Sequence, residues 1–148
     1  MNIRPAWLKR PLHELSSEQW ESLCDGCGRC CLHKLEDEES GDVVYTRIAC
    51  TLLDTSSAQC QDYPNRQSRV PGCVQITPGN VHSLYWLPRT CAYRLRAEGR
   101  RLYDWHPLLS GTQETVKQAG ISVMGRAISE DKVEEDAYED HVVRWVKS

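Results

Sequence analysis

Cys24, Cys27, Cys30 and Cys31 crowd into one short stretch, spelling C-x2-C-x2-C-C. Thiols at this density are the donors that a soft or borderline metal ion takes, with sulfur about 2.3 Å from a zinc ion. Two residues between ligands leave room for a tight turn whose amides point at the sulfurs. Gly26 and Gly28 let the backbone curl as such a knuckle requires. Cys50, Cys60, Cys73 and Cys91 follow downstream, so all eight cysteines are candidate metal ligands.

Cys24, Cys27 and Cys30 repeat the first three steps of the bacterial iron–sulfur run C-x2-C-x2-C-x3-C-P. Here the fourth cysteine comes at once, and Leu32 follows it instead of proline. Adjacent Cys30 and Cys31 leave the backbone in different directions. They serve two centres, or one ligates while the other packs or is redox-active. Eight thiols permit two four-cysteine sites, or one cluster with a smaller second site, and spacing does not choose. A disulfide framework or inert buried cysteines are the competing readings.

Around the cysteines stand other polar candidates. His33, two residues past the cluster, completes a Cys3His site or is an exposed loop histidine. His106, between Trp105 and Pro107, reads as a histidine satisfied by backbone before it reads as a ligand or an acid–base group. His13, His82 and His141 read as ordinary. Four thiolates around Zn2+ leave a site at −2, which nearby cations or amides stabilise. Arg29 and Arg66 are the candidates. The structural alternative for Arg66 is a pair with Asp54 or Asp62 that pins its loop. No Ser-His-Asp order, HExxH helix or phosphate loop is present.

The elements that must position these groups are short. Residues 1–12, with Pro5 and Pro11 around Trp7, read as an extended arm. Ser16 with Gln19 forms a capping box for a helix whose Leu15, Trp20 and Leu23 share an apolar side, delivering Cys24 at its end. Residues 36–42 are a solvated acidic loop. Val43 to Tyr45 and Ile48 to Leu53 are expected strands, and residues 54–80 irregular structure ordered by ligation. Thr77-Pro78 starts a short helix, Thr90 caps another that stops at Gly99, and Thr112 to Ala119 is a third. Ile121, Val123 and Ala127-Ile128 suggest strand pieces. Residues 134–147 read as an acidic amphipathic helix, with Ala137, His141, Val142 and Trp145 on one side.

The chain has 148 residues, no Phe, five Trp, six Tyr and a net charge of −3. One α+β domain is expected: small, irregular and cysteine-rich, with short helices and few short strands, organised around thiolate metal sites. Residues 1–12 would be its arm, 13–91 its metal-binding core and 92–148 its helical C-terminal part. The acidic balance speaks against a dedicated nucleic-acid binder. The N-terminal stretch lacks the apolar run of a signal peptide, and no run suits a membrane span. A cytoplasmic protein is the expectation, with thiols kept reduced.

The chain resembles the CxxCxxCC cysteine-cluster family of zinc- or iron-chelating domains. The resemblance is carried by Cys24, Cys27, Cys30 and Cys31, by C-x-L-L-D from Cys50 to Asp54, by C-x-D-Y-x-N-R from Cys60 to Arg66, and by Pro71 and Cys73. Within that family it looks most like the YcgN-type bacterial proteins. Those share the segments W-L-P-R-T-C-A-Y-R-L (Trp86 to Leu95), W-H-P-L-L-S-G (Trp105 to Gly111) and A-G-I-S-V (Ala119 to Val123). Proline does not directly follow Arg66 as in the broad pattern; Pro71 precedes Cys73 instead. The same cluster resembles one carried by flagellin lysine methylases, but this chain is too short to hold such an enzyme as well.

The resemblance implies a metal-binding bacterial protein and no particular reaction. Three functions then compete. The metal, zinc or iron, is structural in an adaptor or regulatory module with a protein partner. Or iron, including an iron–sulfur cluster, does redox or catalytic work. Or the protein is a metal chaperone that binds ions and hands them over.

Overall fold

The computed structural model describes residues 5–70 and 73–148. Pro71, one of the residues carrying the family resemblance, lies outside them. The chain folds as two compact units, each assembled from separated stretches. The first comprises residues 1–26 and 76–121, the second residues 27–75 and 122–148. Short helices and a few short strands make up both, as an α+β chain of this composition should.

The first unit is helical and packs an apolar cluster. Helix α1 (Ser17–Ser22) begins with the expected capping box: the Gln19 amide donates to Ser16 Oγ (3.1 Å) and the Ser16 amide to Gln19 Oε1 (3.0 Å). Trp20 and Leu23 are buried from it, and the Trp20 indole donates to the Ile76 carbonyl at 2.9 Å. The N-terminal arm is not extended. It forms two 3-10 turns, Ala6–Lys9 and Leu12–Glu14, and buries Leu8 in the same cluster. Burying an apolar side chain outweighs solvating an arm that carries one.

Thr77 and Asn80 exchange backbone-to-side-chain bonds, but in place of the expected helix only a 3-10 turn follows (Val81–Ser83). Two further helices are α3 (Ala92–Ala97) and α5 (Glu114–Gln118); in chain order α2 (Arg66–Arg69) precedes them and α4 (Pro107–Ser110) lies between. Helix α3 ends at Gly99, which adopts φ +73°. Helix α4 is capped by the His106 ring.

The second unit is a small sheet with a loop beside it. Strands β1 (Leu32–Glu36) and β2 (Val43–Ala49) pair antiparallel, with a register shift between Leu32 and Lys34. The other edge of β2 takes β5 (Ile128–Ser129) in parallel and β6 (Val142–Val143) antiparallel. Strands β3 (Leu53–Asp54) and β4 (Gln59–Cys60) form a separate hairpin. Strand β2 runs unbroken through Thr46, whose hydroxyl donates to the His33 carbonyl (2.9 Å) and accepts from the Ile48 amide (3.2 Å). With its polar atom satisfied, Thr46 is tolerated inside a strand the sequence splits in two.

Three other expectations fail in this unit. Strand β1, unforeseen, follows the cysteine cluster directly. Of the strand pieces near residue 125, only Ile128–Ser129 forms. The helix over 134–147 is replaced by 3-10 turns (Glu135–His141) and then β6. An α-helix there would set Glu135 against Glu139 and Asp136 against Asp140, like charges one turn apart. The β-branched Val142-Val143 pair instead extends onto β2.

Gly28 sits where chain and core meet within the second unit. Its φ is +78°, and a Cβ there would lie 2.7 Å from Val123 Cγ2 and 3.3 Å from Ala58 Cβ. Left-handed backbone and steric overlap act together. Gly28→Ala should cost about 2–4 kcal/mol, seen as a lower midpoint in chemical denaturation. A change within about 0.5 kcal/mol would show that the knuckle relaxes freely.

His106 sets the pH response of the first unit. It is buried; its Nδ1 accepts from the Leu108 amide (3.0 Å), so Nε2 carries the proton that it donates to the Leu23 carbonyl (2.8 Å). Burial lowers its pKa from the ordinary 6.5, opposed by the Leu23 bond and the charge of Asp25. Below about pH 6.5 the unfolded chain takes up a proton that the folded chain refuses, so stability falls on acidification. Between pH 7.5 and 5.5 the wild type should lose stability, by at most about 1.4 kcal/mol per pH unit from this group. His106→Asn should be less stable at pH 7.5 and lose less over that interval. Equal losses in both proteins would remove His106 as the cause.

Candidate metal centre

The backbone of the second unit draws its cysteines together. Gly28 in the left-handed conformation opens the 3-10 turn Arg29–Cys31, and the Cys31 amide donates to the Gly28 carbonyl at 3.1 Å. Within the knuckle the Arg29 amide donates to Cys27 Sγ at 3.4 Å, the amide-to-sulfur contact expected of such a turn. Cys27 itself is buried. One step on, the Cys50 amide donates to the Cys31 carbonyl (2.9 Å), tying the end of β2 to the end of the knuckle. The Leu53 amide donates to the Cys50 carbonyl (2.9 Å), and Leu53 is paired with Cys60 across the β3–β4 hairpin. Cys31, Cys50 and Cys60 are thus linked by backbone, through one residue, Leu53.

The electrostatics extend this set. A side-chain hydrogen bond with Cys30 is the largest cause pushing the Cys31 thiol far above its ordinary range; burial and the charges of Cys30, Cys50 and Cys60 add to it. Cys50 is raised by burial, by Glu130 and by Cys73 and Cys60, against a lowering bond from the Leu52 amide. Cys73 is raised by burial and by Cys30 and Cys60, while the Arg66 guanidinium opposes the shift by charge and hydrogen bond. Cys30, Cys31, Cys50, Cys60 and Cys73 therefore feel one another. The raised thiols of Cys31, Cys50 and Cys73 favour their protonated form. The donors are sulfur, suited to zinc or iron. Among the described residues, which include every cysteine, no disulfide is formed. Nor, among the described residues, do three or more His, Cys, Asp or Glu side chains come together in an arrangement that could hold a metal ion.

Two cations flank the set. Lys34, which sequence reasoning passed over, is placed by the β1–β2 register opposite Tyr45. Its ammonium donates to the Cys30 (3.0 Å) and Leu32 (2.8 Å) carbonyls and lies 5.1 Å from the Tyr45 ring centroid. Burial lowers its pKa, and Cys30 and Cys31 oppose that. The available signal was a lysine three residues from Cys31.

Arg66 donates to the Tyr63 carbonyl (2.7 Å), lies 3.7 Å from the Tyr63 ring centroid and acts on Cys73 by charge and hydrogen bond. The expected partners of Arg66 are engaged elsewhere: Asp62 pairs with Arg69 (3.1 Å), and Asp54 accepts from the Ser56 amide and hydroxyl. Arg29 is buried under the Trp145 ring at 5.7 Å.

The remaining candidates are placed as follows. Cys24 is exposed in the first unit, just past α1. Cys91 is the N-cap residue of α3 and packs on the apolar cluster of that unit. His33 Nε2 meets Glu130 Oε2, and its ring lies edge-on to Tyr138 at 5.3 Å. His106 belongs to the first unit with both ring nitrogens on backbone, as its sequence context suggests. His141 Nδ1 accepts from Arg47 Nε.

Residues 23–92 match the CxxCxxCC family model, described as "Putative zinc- or iron-chelating domain". A UPF0260 protein of Sinorhizobium fredii is 56% identical over 98% of this chain and 94% of its own length. Another from Allorhizobium ampelinum is 55% identical, over 98% and 91%. A third, from Brucella canis, is 54% identical, over 97% and 95%. No solved structure matches. Among the described residues, no helix is long and apolar enough to cross a membrane. The match over the cysteine segment and the near full-length similarity agree with the resemblance carried by the motifs: the chain belongs to the UPF0260 group of CxxCxxCC cysteine-cluster proteins.

Proposed function

We propose that the second unit chelates one zinc or iron ion on Cys31, Cys50, Cys60 and Cys73, and that ligation fastens the loop between Cys60 and Cys73. The observation that carries this is the backbone linkage of Cys31, Cys50 and Cys60, with the mutual charge effects of these thiols and Cys73 in support. A second observation gives the ion a structural task. Among the described residues from 61 to 75, none is buried, so the loop has no apolar anchor of its own. Its ends are Cys60 and Cys73. Ligation there supplies the constraint that apolar burial does not.

The bound ion would supply a fixed positive charge that holds four thiolates together. The rest is done by the chain. Lys34 and Arg66 offset the negative charge left over, and the Leu52 amide donates toward the Cys50 sulfur. Cys27 sets the knuckle through its bond from Arg29 and needs no part in ligation. Cys91 is held by its apolar neighbours.

Protein isolated anaerobically should carry one ion per chain by elemental analysis. A colourless zinc protein and a coloured iron protein are told apart by absorption near 400 nm. Removal with a strong chelator should open the loop to trypsin after Arg66 and Arg69, with the loaded form resisting at least tenfold longer. Equal cleavage of both forms would sink the structural role. Cys60→Ser should lose most of the ion and show the same cleavage.

Lys34→Met and Arg66→Met should each weaken binding about 10–100-fold in competition with a chromophoric chelator, the range typical of partners behind the ligands. Lys34→Arg should restore most of it. Unchanged affinity in both methionine variants would show that neither charge supports the site.

A further inference from the structure

The segment that follows α3 in the first unit reads Arg100, Arg101, Leu102, Tyr103, Asp104, Trp105. Leu102 is buried in the apolar cluster, while Arg101 and Tyr103 on either side of it are exposed. The Tyr103 and Trp105 rings stack on each other, 5.3 Å between centroids and 11° from parallel. The loop beneath them is fixed. The His106 amide donates to the Tyr103 carbonyl (3.0 Å), and the Thr115 hydroxyl donates to the Trp105 carbonyl (2.7 Å). Trp105 is half-buried and Tyr103 is 39% exposed, so Tyr103 is the open member of the pair.

Cations gather beside this pair. The Arg100 amide donates to the Leu95 carbonyl (2.8 Å), which seats Arg100 at the end of α3 with its side chain 58% exposed. Arg96 Nη2 donates to the Arg10 carbonyl (2.8 Å), which brings the backbone of the exposed Lys9 and Arg10 alongside the same helix. Glu98 is bonded to Arg94 at 3.3 Å and stands farther from Arg100, at 3.9 Å. The local acids, Glu98 and Asp104, are outnumbered by Lys9, Arg10, Arg100 and Arg101. The acidic runs at residues 36–42 and 130–140 both belong to the second unit. The negative balance of the whole chain therefore does not describe this surface.

We propose that this surface of the first unit binds single-stranded nucleic acid, with one base extending the Tyr103–Trp105 stack and the neighbouring phosphates on Arg100 and Arg101. The ring stack offers a flat apolar face, and the arginines beside it offer charge. A nucleotide carries a planar base and an anion at matching separation. An acidic peptide supplies the anion without the planar face. In a duplex the bases are already stacked on one another and present no free face. Stacking and phosphate contact are both tolerant of sequence, so binding follows strandedness and salt rather than base order. The inference is independent of the metal centre, because every residue it uses lies in the first unit.

The test titrates the full chain into fluorescent oligothymidylate and reads anisotropy. Saturable binding that weakens as salt rises is expected. Tyr103→Ala should weaken it at least tenfold, and Tyr103→Phe should hold the wild-type affinity, since the stack uses the ring and not the hydroxyl. Arg101→Ala should flatten the slope of log affinity against log salt by about 0.7, the share of one single-strand phosphate contact. Melting curves of each variant separate lost binding from lost folding.

No anisotropy change with the wild type would overturn the proposal. So would wild-type affinity in a folded Tyr103→Ala variant, or equal binding of a duplex of the same length, either of which reduces the surface to charge alone. Equal displacement by polyglutamate would make the partner an acidic protein, and equal displacement by thymidine monophosphate would make the site one for a free nucleotide. Both results refute a strand-binding surface.

Discussion

Several sulfur atoms held close enough to sense one another impose a requirement that shapes the whole second unit. Each thiolate raises the cost of making the next, and burial adds to that cost. Positive charge must therefore be built in nearby. Lys34 and Arg66 provide it, Lys34 fixed by two carbonyls and the Tyr45 ring, Arg66 by the Tyr63 carbonyl and ring. The register shift in the β1–β2 pair, the backbone bond from Cys50 to Cys31 and the β3–β4 hairpin all bring sulfur and cation into range of each other. Gly28 makes the approach possible, because any side chain at that position would collide with the core.

The two units differ in what stabilises them. The first has a conventional apolar cluster built on Trp20, Leu23, Leu87, Tyr93 and Leu95, with a neutral histidine stitched into it by backbone bonds. The core of the second is centred on Leu32, Tyr45, Leu53 and Val123, and it leaves the loop beyond Cys60 without a buried side chain. Apolar burial scales with area removed from water, and this loop removes little. Hydrogen bonds and an ion pair within residues 62–69 order it locally, and cysteines stand at its two ends. The histidines follow the same division. His106 has spent both ring nitrogens on backbone, so it cannot double as a ligand, while His33 is turned toward Glu130.

Legibility in the sequence followed the range of the interaction. The Ser16 capping box, the stop at Gly99 and the glycine knuckle are decided by neighbours a few residues apart, and each formed where the sequence places it. Strand β1 was hidden because Leu32–Glu36 carries two charged residues and a histidine, and only pairing with β2 makes it a strand. The C-terminal segment misled because its apolar spacing suits a helix, whereas its repeated acids and paired valines do not. Arg66 was read both as a cation beside the thiolates and as the partner of a carboxylate. Its engagement with Tyr63 and Cys73 depends on where a loop returns, which spacing does not encode. The cysteines were conspicuous as a set, but their division between two units was not, since the chain enters and leaves each unit twice.

A divalent ion on the four proposed thiolates would carry two negative charges, which Lys34 and Arg66 offset, while Glu130 adds a negative charge beside Cys50. Cys30 stands exposed next to the half-buried Cys31. Adjacent Cys30 and Cys31, which look redundant as ligands of one ion, become distinct once one is covered and the other is open to water.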